Sequence, residues 1–248
     1  MSSGLDFQYK IEERVQAKGW DTFPEQSYID DVELKPRDND FIAIQEGTRT
    51  NPRGNQIALV VECKYLPSDV SVHMRPNPNQ EDAYFLDGYS KIDLFRDKSR
   101  FHIFNAPKVA TNIIKDSDKK DNLGSAIIQA IKALLYFRGS GRKLHAKGLF
   151  YPVVVYGGPG KIVDQDGTPL DNFLYYRSYE WKEPHSQDRA VTRYLYVDVI
   201  RENDLEHYLD DIFLPERNVV IGHDAFREMI ARRDNIDRQF RRQQNPGR

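Results

Sequence analysis

Cysteine is almost absent: Cys63 is the only one in 248 residues. An intramolecular disulfide framework is therefore excluded, and the composition suits a reducing compartment. Long apolar runs are missing as well, and none approaches the roughly 20 residues of a membrane-crossing helix. Neither sign of charge dominates, with Lys+Arg 36 against Asp+Glu 38 and a formal net charge of −2. That excludes a polycationic coat, so any nucleic-acid surface has to be a local patch. The six histidines, at 73, 102, 145, 185, 207 and 223, follow no zinc-ligand spacing. Gly157-Gly158-Pro159-Gly160-Lys161 lacks the glycine spacing of a phosphate loop and the Ser/Thr after its lysine, and reads as a strand-ending turn. No Gly-x-Ser-x-Gly elbow occurs, and no internal repeat is visible. The first residues carry no signal-peptide pattern, which gives the expectation of a cytoplasmic protein.

What the chain does have is a stretch from Asp40 to Lys64. Asp40-Phe41-Ile42-Ala43-Ile44 and Ile57-Ala58-Leu59-Val60-Val61-Glu62-Cys63-Lys64-Tyr65 are two apolar runs. Gly47, Pro52, Gly54 and Asn55 separate them, so the stretch predicts a β-hairpin. Ile57 to Val61 is continuously apolar, as expected of a central strand buried on both faces. Charges at the end of such a strand need a reason, because desolvating them is costly unless they are paired or hold a metal. With a period of two, Glu62 and Lys64 share a face, and Asp40 on the neighbouring strand points into the same space. Cys63 faces the other way, where packing is its expected role.

Asp40 followed by Glu62-Cys63-Lys64 resembles the PD-(D/E)xK nuclease superfamily, over roughly residues 5–66. The resemblance implies a restriction-endonuclease-like α/β core, a mixed central sheet flanked by helices, built in the order helix, three strands, helix, strand. Asn39, not proline, precedes Asp40. By the same resemblance Asp40, Glu62 and the Cys63 carbonyl hold Mg²⁺, with Mn²⁺ able to substitute, and Lys64 orients the attacking water or stabilises charge. It further suggests a glutamate on the first helix, Glu12 ahead of Glu13, and Gln129 on the helix after Glu-x-Lys. The implied activity is that of a Mg-dependent endonuclease of restriction, defence or repair type, with DNA ahead of RNA as partner and a homodimer compatible. Two alternatives stay open: a catalytically silent nucleic-acid-binding protein on the same fold, and an interaction protein in which Glu62 and Lys64 are merely ion-paired.

The remaining chain is read in order. Residues 5–18 predict an amphipathic helix with Leu5, Ile11 and Val15 on one face and Gly19 as its stop. Asp38, with Pro36 and Asn39, falls in an expected turn. Residues 66–122 are expected to be an insertion, beginning with a proline-rich loop over 66–82. Within it Lys91, Arg96, Lys98, Arg100, His102 and Lys108 interleave with Tyr89, Phe95, Phe101 and Phe104. That pattern fits either phosphate and base contacts or a solvated amphipathic subdomain. Residues 123–138 predict a buried helix, broken by Gly139-Ser140-Gly141, then a basic turn through Lys147. Residues 149–156 and 194–200 predict strands, and 205–213 a short helix. Phe173 to Trp181 fits either recognition or packing. The expected organisation is one domain over 1–215 and a basic helical extension over 216–248.

Overall fold

The computed structural model describes residues 4–30, 32–45, 56–78, 85–86, 102–115, 123–140, 148–182 and 190–214. The basic turn at 142–147, most of the basic and aromatic run at 89–101 and the expected C-terminal helix lie outside the described residues.

The chain opens with α1 (Gly4–Ala17), which ends where Gly19 takes a positive φ of 80°. β1 (Asp21–Ile29), β2 (Pro36–Gln45) and β3 (Gln56–Tyr65) follow as an antiparallel meander. After them come β4 (Val70–Pro76), β5 (Phe85–Leu86), α2 (His102–Asn105), β6 (Lys108–Lys115) and α3 (Leu123–Ser140). β7 (Gly148–Gly157), β8 (Ile162–Val163), β9 (Asn172–Lys182) and β10 (Ala190–Arg201) complete the strands. A 3₁₀ turn (Glu202–Asp204), one α-turn (Leu205–His207) and a π-helical segment (Tyr208–Phe213) then run on as one irregular helix.

Among the described residues the strands form one mixed sheet in the order β1-β2-β3-β7-β10-β9-β6-β4-β8, with β5 beside the start of β7. β3 and β7 are parallel, and α3 makes the crossover between them. A parallel pair needs such a crossover, whereas β2 and β3 need only a loop. β7 lies between parallel neighbours and is apolar on both faces through Val153, Val154 and Val155, as a doubly covered strand must be.

The two faces have separate cores. Phe7, Ile11 and Val15 of α1 pack on Phe41, Ala43, Leu59, Val61, Val153 and Val155. Ile127, Ile131 and Leu134 of α3 pack on Ile42, Ala58, Val60, Val154 and Tyr156 on the opposite side. The irregular helix lies beside α1, tied by Lys10–Glu202 (2.7 Å), Arg14–Glu206 and Lys18–Asp210. Both partners advance four residues at a time, so the ladder fixes the register of the two helices; exposed pairs of this kind add little stability. Beneath it Phe213 meets Trp20 at 5.4 Å and Tyr151 at 4.6 Å between ring centroids.

Three expectations need correcting. Leu5 is exposed, so Phe7 and not Leu5 shares the buried face of α1 with Ile11 and Val15. The proline-rich stretch after β3 is not a loop throughout: β4 occupies its middle, with Val70 and Val72 buried at a period of two. With β6 it continues the central sheet, so the insertion extends the core sheet. Asp38 is not in a turn either, because β2 already begins at Pro36 and Asp38 pairs with Ser27. The chain turns instead at residues 30 and 32–35, anchored by Asp30, whose Oδ1 accepts from the Val32 and Glu33 amides at 2.9 Å each. Lys132 of α3 donates to its Oδ2 at 2.7 Å. Burial alone would push the Asp30 carboxyl up, but Lys132 and the two amides outweigh it and hold it below the usual carboxylate value. Lys132→Met leaves that carboxylate buried without its cation, so we expect a loss of roughly 3 kcal/mol in urea denaturation. An unchanged midpoint would show that the pair does not anchor the turn.

Candidate active site

The β2–β3 backbone ladder stops at Phe41 and Val61. One step beyond, Asp40 comes opposite Glu62. Val60 belongs to the α3 face, so alternation puts Glu62 and Lys64 on that face as well. Cys63 is partly buried against the α1-side core instead, as its position between them requires. Glu62 is 4% exposed and Lys64 5%. Asp40 is partly buried.

Side chains take over where the ladder ends. The Cys63 amide donates to Asp40 Oδ2 at 2.6 Å. Asn39 Nδ2 donates both to the Val61 carbonyl and to Glu62 Oε1, each at 2.9 Å. From α1, Gln8 Nε2 donates to the Asp40 carbonyl at 2.9 Å and ties the helix to the strand at this point. Each carboxylate thus has one oxygen held by an N–H donor, while Asp40 Oδ1 and Glu62 Oε2 take no hydrogen bond from the described residues.

The electrostatics follow from burial and like charge. Burial pushes the Asp40 carboxyl up to about 6; the Cys63 amide and Lys64 pull against this, and Glu25 adds to it. Glu25 stands opposite Asp40, between the pairs Pro24–Phe41 and Gln26–Asn39, at a positive φ of 49°. Burial and the Asp40 charge raise Glu62 well above the usual carboxylate range, although Asn39 and Lys64 oppose them. Two adjacent carboxyl groups that resist ionisation together, with a lysine acting on both, are the arrangement that added positive charge would relieve. The donor set is hard oxygen, which suits Mg²⁺, an ion that retains several waters and needs only one or two protein carboxylates. Asn39 Oδ1, buried without a hydrogen-bond partner among the described residues, is a further oxygen beside Glu62. The Cys63 thiol is raised by burial and by Asp40, Glu62 and Glu12, so it stays protonated and is a poor nucleophile.

The other expected site residues are placed less directly. Glu12 is buried on α1 and accepts from the Thr22 hydroxyl at 2.6 Å. It faces the Cys63 side of the sheet, and no group of three or more His, Cys, Asp or Glu fit to hold a metal occurs among the described residues. Gln129 is half-buried on α3, the helix that covers the Glu62 face, without a hydrogen bond to either carboxylate. Sequence reasoning missed Asn39, Gln8 and Glu25. Gln8 shares the helical face of Ile11 and Val15, so that signal was available. Glu25 had none, because nothing in the sequence marks its left-handed backbone.

A further buried carboxylate lies on the face opposite Glu62. Asp198 of β10 receives His102 of α2 at 2.7 Å on Oδ1 and the Tyr208 hydroxyl at 3.0 Å on Oδ2. Nearby Asn77 donates to the Ile103 and Ala106 carbonyls and accepts from the Tyr196 hydroxyl. Together these bonds fasten the inserted segment and the irregular helix to β10.

Comparison of the chain with family models, with curated proteins and with solved structures returns no match in any of the three. Among the described residues no helix is long and apolar enough to cross a membrane.

Proposed function

We propose that the chain is a metal-dependent nuclease with a restriction-endonuclease-like core, hydrolysing phosphodiester bonds, with DNA ahead of RNA as its substrate. The observation that carries this reading is the burial of Asp40, Glu62 and Lys64 together at the end of the apolar run of β3. The order α1-β1-β2-β3, then α3 and β7 beside β3, supports it, since this is the order that the resemblance implies.

In this reading Asp40 and Glu62, with the Cys63 carbonyl, would hold Mg²⁺ or Mn²⁺. Such a cation would supply Lewis-acid chemistry, lowering the pKa of a bound water and offsetting charge on the phosphate. The Cys63 amide and Asn39 keep the two carboxylates in place through the reaction. Lys64, fixed by burial, orients the attacking water or stabilises charge developing on the phosphoryl oxygens, and costs no reorganisation at that moment. Removal of a proton from the attacking water by Lys64 itself requires a neutral amine.

Incubation with supercoiled plasmid, linear duplex, single-stranded DNA and single-stranded RNA, each with Mg²⁺, Mn²⁺ or EDTA, tests the reading. Cleavage of DNA in the metal arms alone is the expected result. Cleavage of RNA alone would correct the substrate, and no cleavage of any of the four would favour a silent binding protein on the same fold.

A further inference from the structure

We propose that Asn39 is a positioning residue for the metal-binding carboxylates, holding Glu62 so that its second oxygen is presented to the cation; this rests on the metal-dependent reading of the site. Asn39 is fully buried in β2. Its Nδ2 reaches the Val61 carbonyl and Glu62 Oε1 at 2.9 Å each. Both partners are acceptors, so the amide orientation is fixed: a flip would set oxygen against two oxygens. One bond pins the β3 backbone just before Glu62, and the other pins the carboxylate itself.

The place matters as much as the bonds. Backbone pairing between β2 and β3 ends at Phe41 and Val61, so the strands lose their ladder where the site begins. Asn39 and Asp40 replace it, the first by donating to Val61 and Glu62, the second by accepting from the Cys63 amide. A glutamate has three side-chain torsions, and the Asn39 amide restrains those of Glu62 by holding Oε1. The same amide leaves its own Oδ1 buried without a hydrogen-bond partner among the described residues, a desolvation cost that nothing repays. Fold stability alone does not account for an amide there; an apolar side chain of similar volume would avoid that cost. Groups that orient metal ligands typically change metal affinity or activity by about 10–100-fold when removed.

The test is Mn²⁺ binding to the full chain, by calorimetry and by loss of the free-ion electron paramagnetic resonance signal, for wild type, Asn39→Leu and Asn39→Ser. Melting in EDTA reports fold damage separately. We expect the Mn²⁺ dissociation constant to rise about tenfold or more in Asn39→Leu, with Asn39→Ser, which keeps a donor, in between. The Mn²⁺ concentration for half-maximal cleavage should rise in parallel, with a smaller change in the rate at saturating metal. A lowered melting temperature with unchanged Mn²⁺ affinity would assign Asn39 a purely structural role and overturn the proposal while leaving the metal site standing. Wild-type protein that binds no Mn²⁺ would overturn both. Should Asn39→Leu fail to fold, Asn39→Ser decides the question alone.

Discussion

We expect Asp40→Asn to give a protein that does not cleave nucleic acid and yet melts higher than wild type in metal-free buffer at neutral pH. The substitution is isosteric, and an asparagine oxygen still accepts the Cys63 amide bond that Asp40 Oδ2 makes at 2.6 Å. What it removes is a charge that burial disfavours and that sits beside Glu62. Without a cation this charge is a liability, since desolvating it and setting it against a second carboxylate both cost free energy. In the metal-dependent reading it is one of the groups that hold the cation, so its loss should cost about 10²–10³-fold in rate, the scale reached when a charge-stabilising group is removed from an active site. Rates on plasmid and melting curves in EDTA measure the two halves. Retained cleavage would remove Asp40 from the site, and a lower melting temperature would mean that Asp40 stabilises the fold.

In EDTA the wild-type protein should lose stability as pH rises through about 6, and Mg²⁺ should restore it. The folded-state pKa of Asp40 is raised from 3.8 to about 6. Between those values the native state binds the extra proton, so the slope of unfolding free energy with pH is negative there. The effect is complete once pH exceeds the folded value. Glu62 is raised too and carries the decline further up. At about 1.4 kcal/mol per unit, the Asp40 contribution is capped at roughly 3 kcal/mol. Asp30 and Glu206, whose values are lowered, act in the opposite sense and only at more acid pH. His207 is raised by Asp211 and would add to the decline, so Asp40→Asn is the control. Its curve should be flatter across pH 5–7. If the pair binds metal, binding would displace protons from it and stabilise only the native state, so melting temperature should climb with Mg²⁺ concentration and climb more steeply at higher pH. A melting temperature indifferent to Mg²⁺ and Mn²⁺ would point instead to an interaction protein with an ion-paired Glu62 and Lys64.

Much of this was legible because periodicity survives where burial is strong. The β2–β3 hairpin, α3, β7 and β10 each carry runs of apolar residues long enough to declare their element; α1 was legible from the spacing of Ile11 and Val15 alone, since Leu5 is exposed and Phe7 completes the buried face. The Asp40, Glu62 and Lys64 juxtaposition was visible for the same reason, since alternation along two paired strands dictates which side chains meet. Where the reading failed, a local signal had been outweighed. Val70-Ser71-Val72-His73-Met74 alternates as a strand should, but Pro67, Pro76 and Pro78 around it read as loop. Asn39 was hidden by the alternation rule itself, which puts a side chain adjacent to Asp40 on the far face. Its amide reaches Glu62 at the point where regular pairing stops. The ladder of Lys10, Arg14 and Lys18 could be read as a helix stripe, but its partners lie 192 residues away and only the folded sheet brings them alongside.

The measurement that bears most directly on the nuclease reading is cleavage of supercoiled plasmid by wild type and Lys64→Ala, side by side in Mg²⁺ and in EDTA. Lys64 is buried beside both carboxylates, and alanine removes its charge while leaving them in place. Cutting by wild type in Mg²⁺, none in EDTA and none by a folded Lys64→Ala is the predicted result. Cutting in EDTA, or equal cutting by the variant, would contradict it.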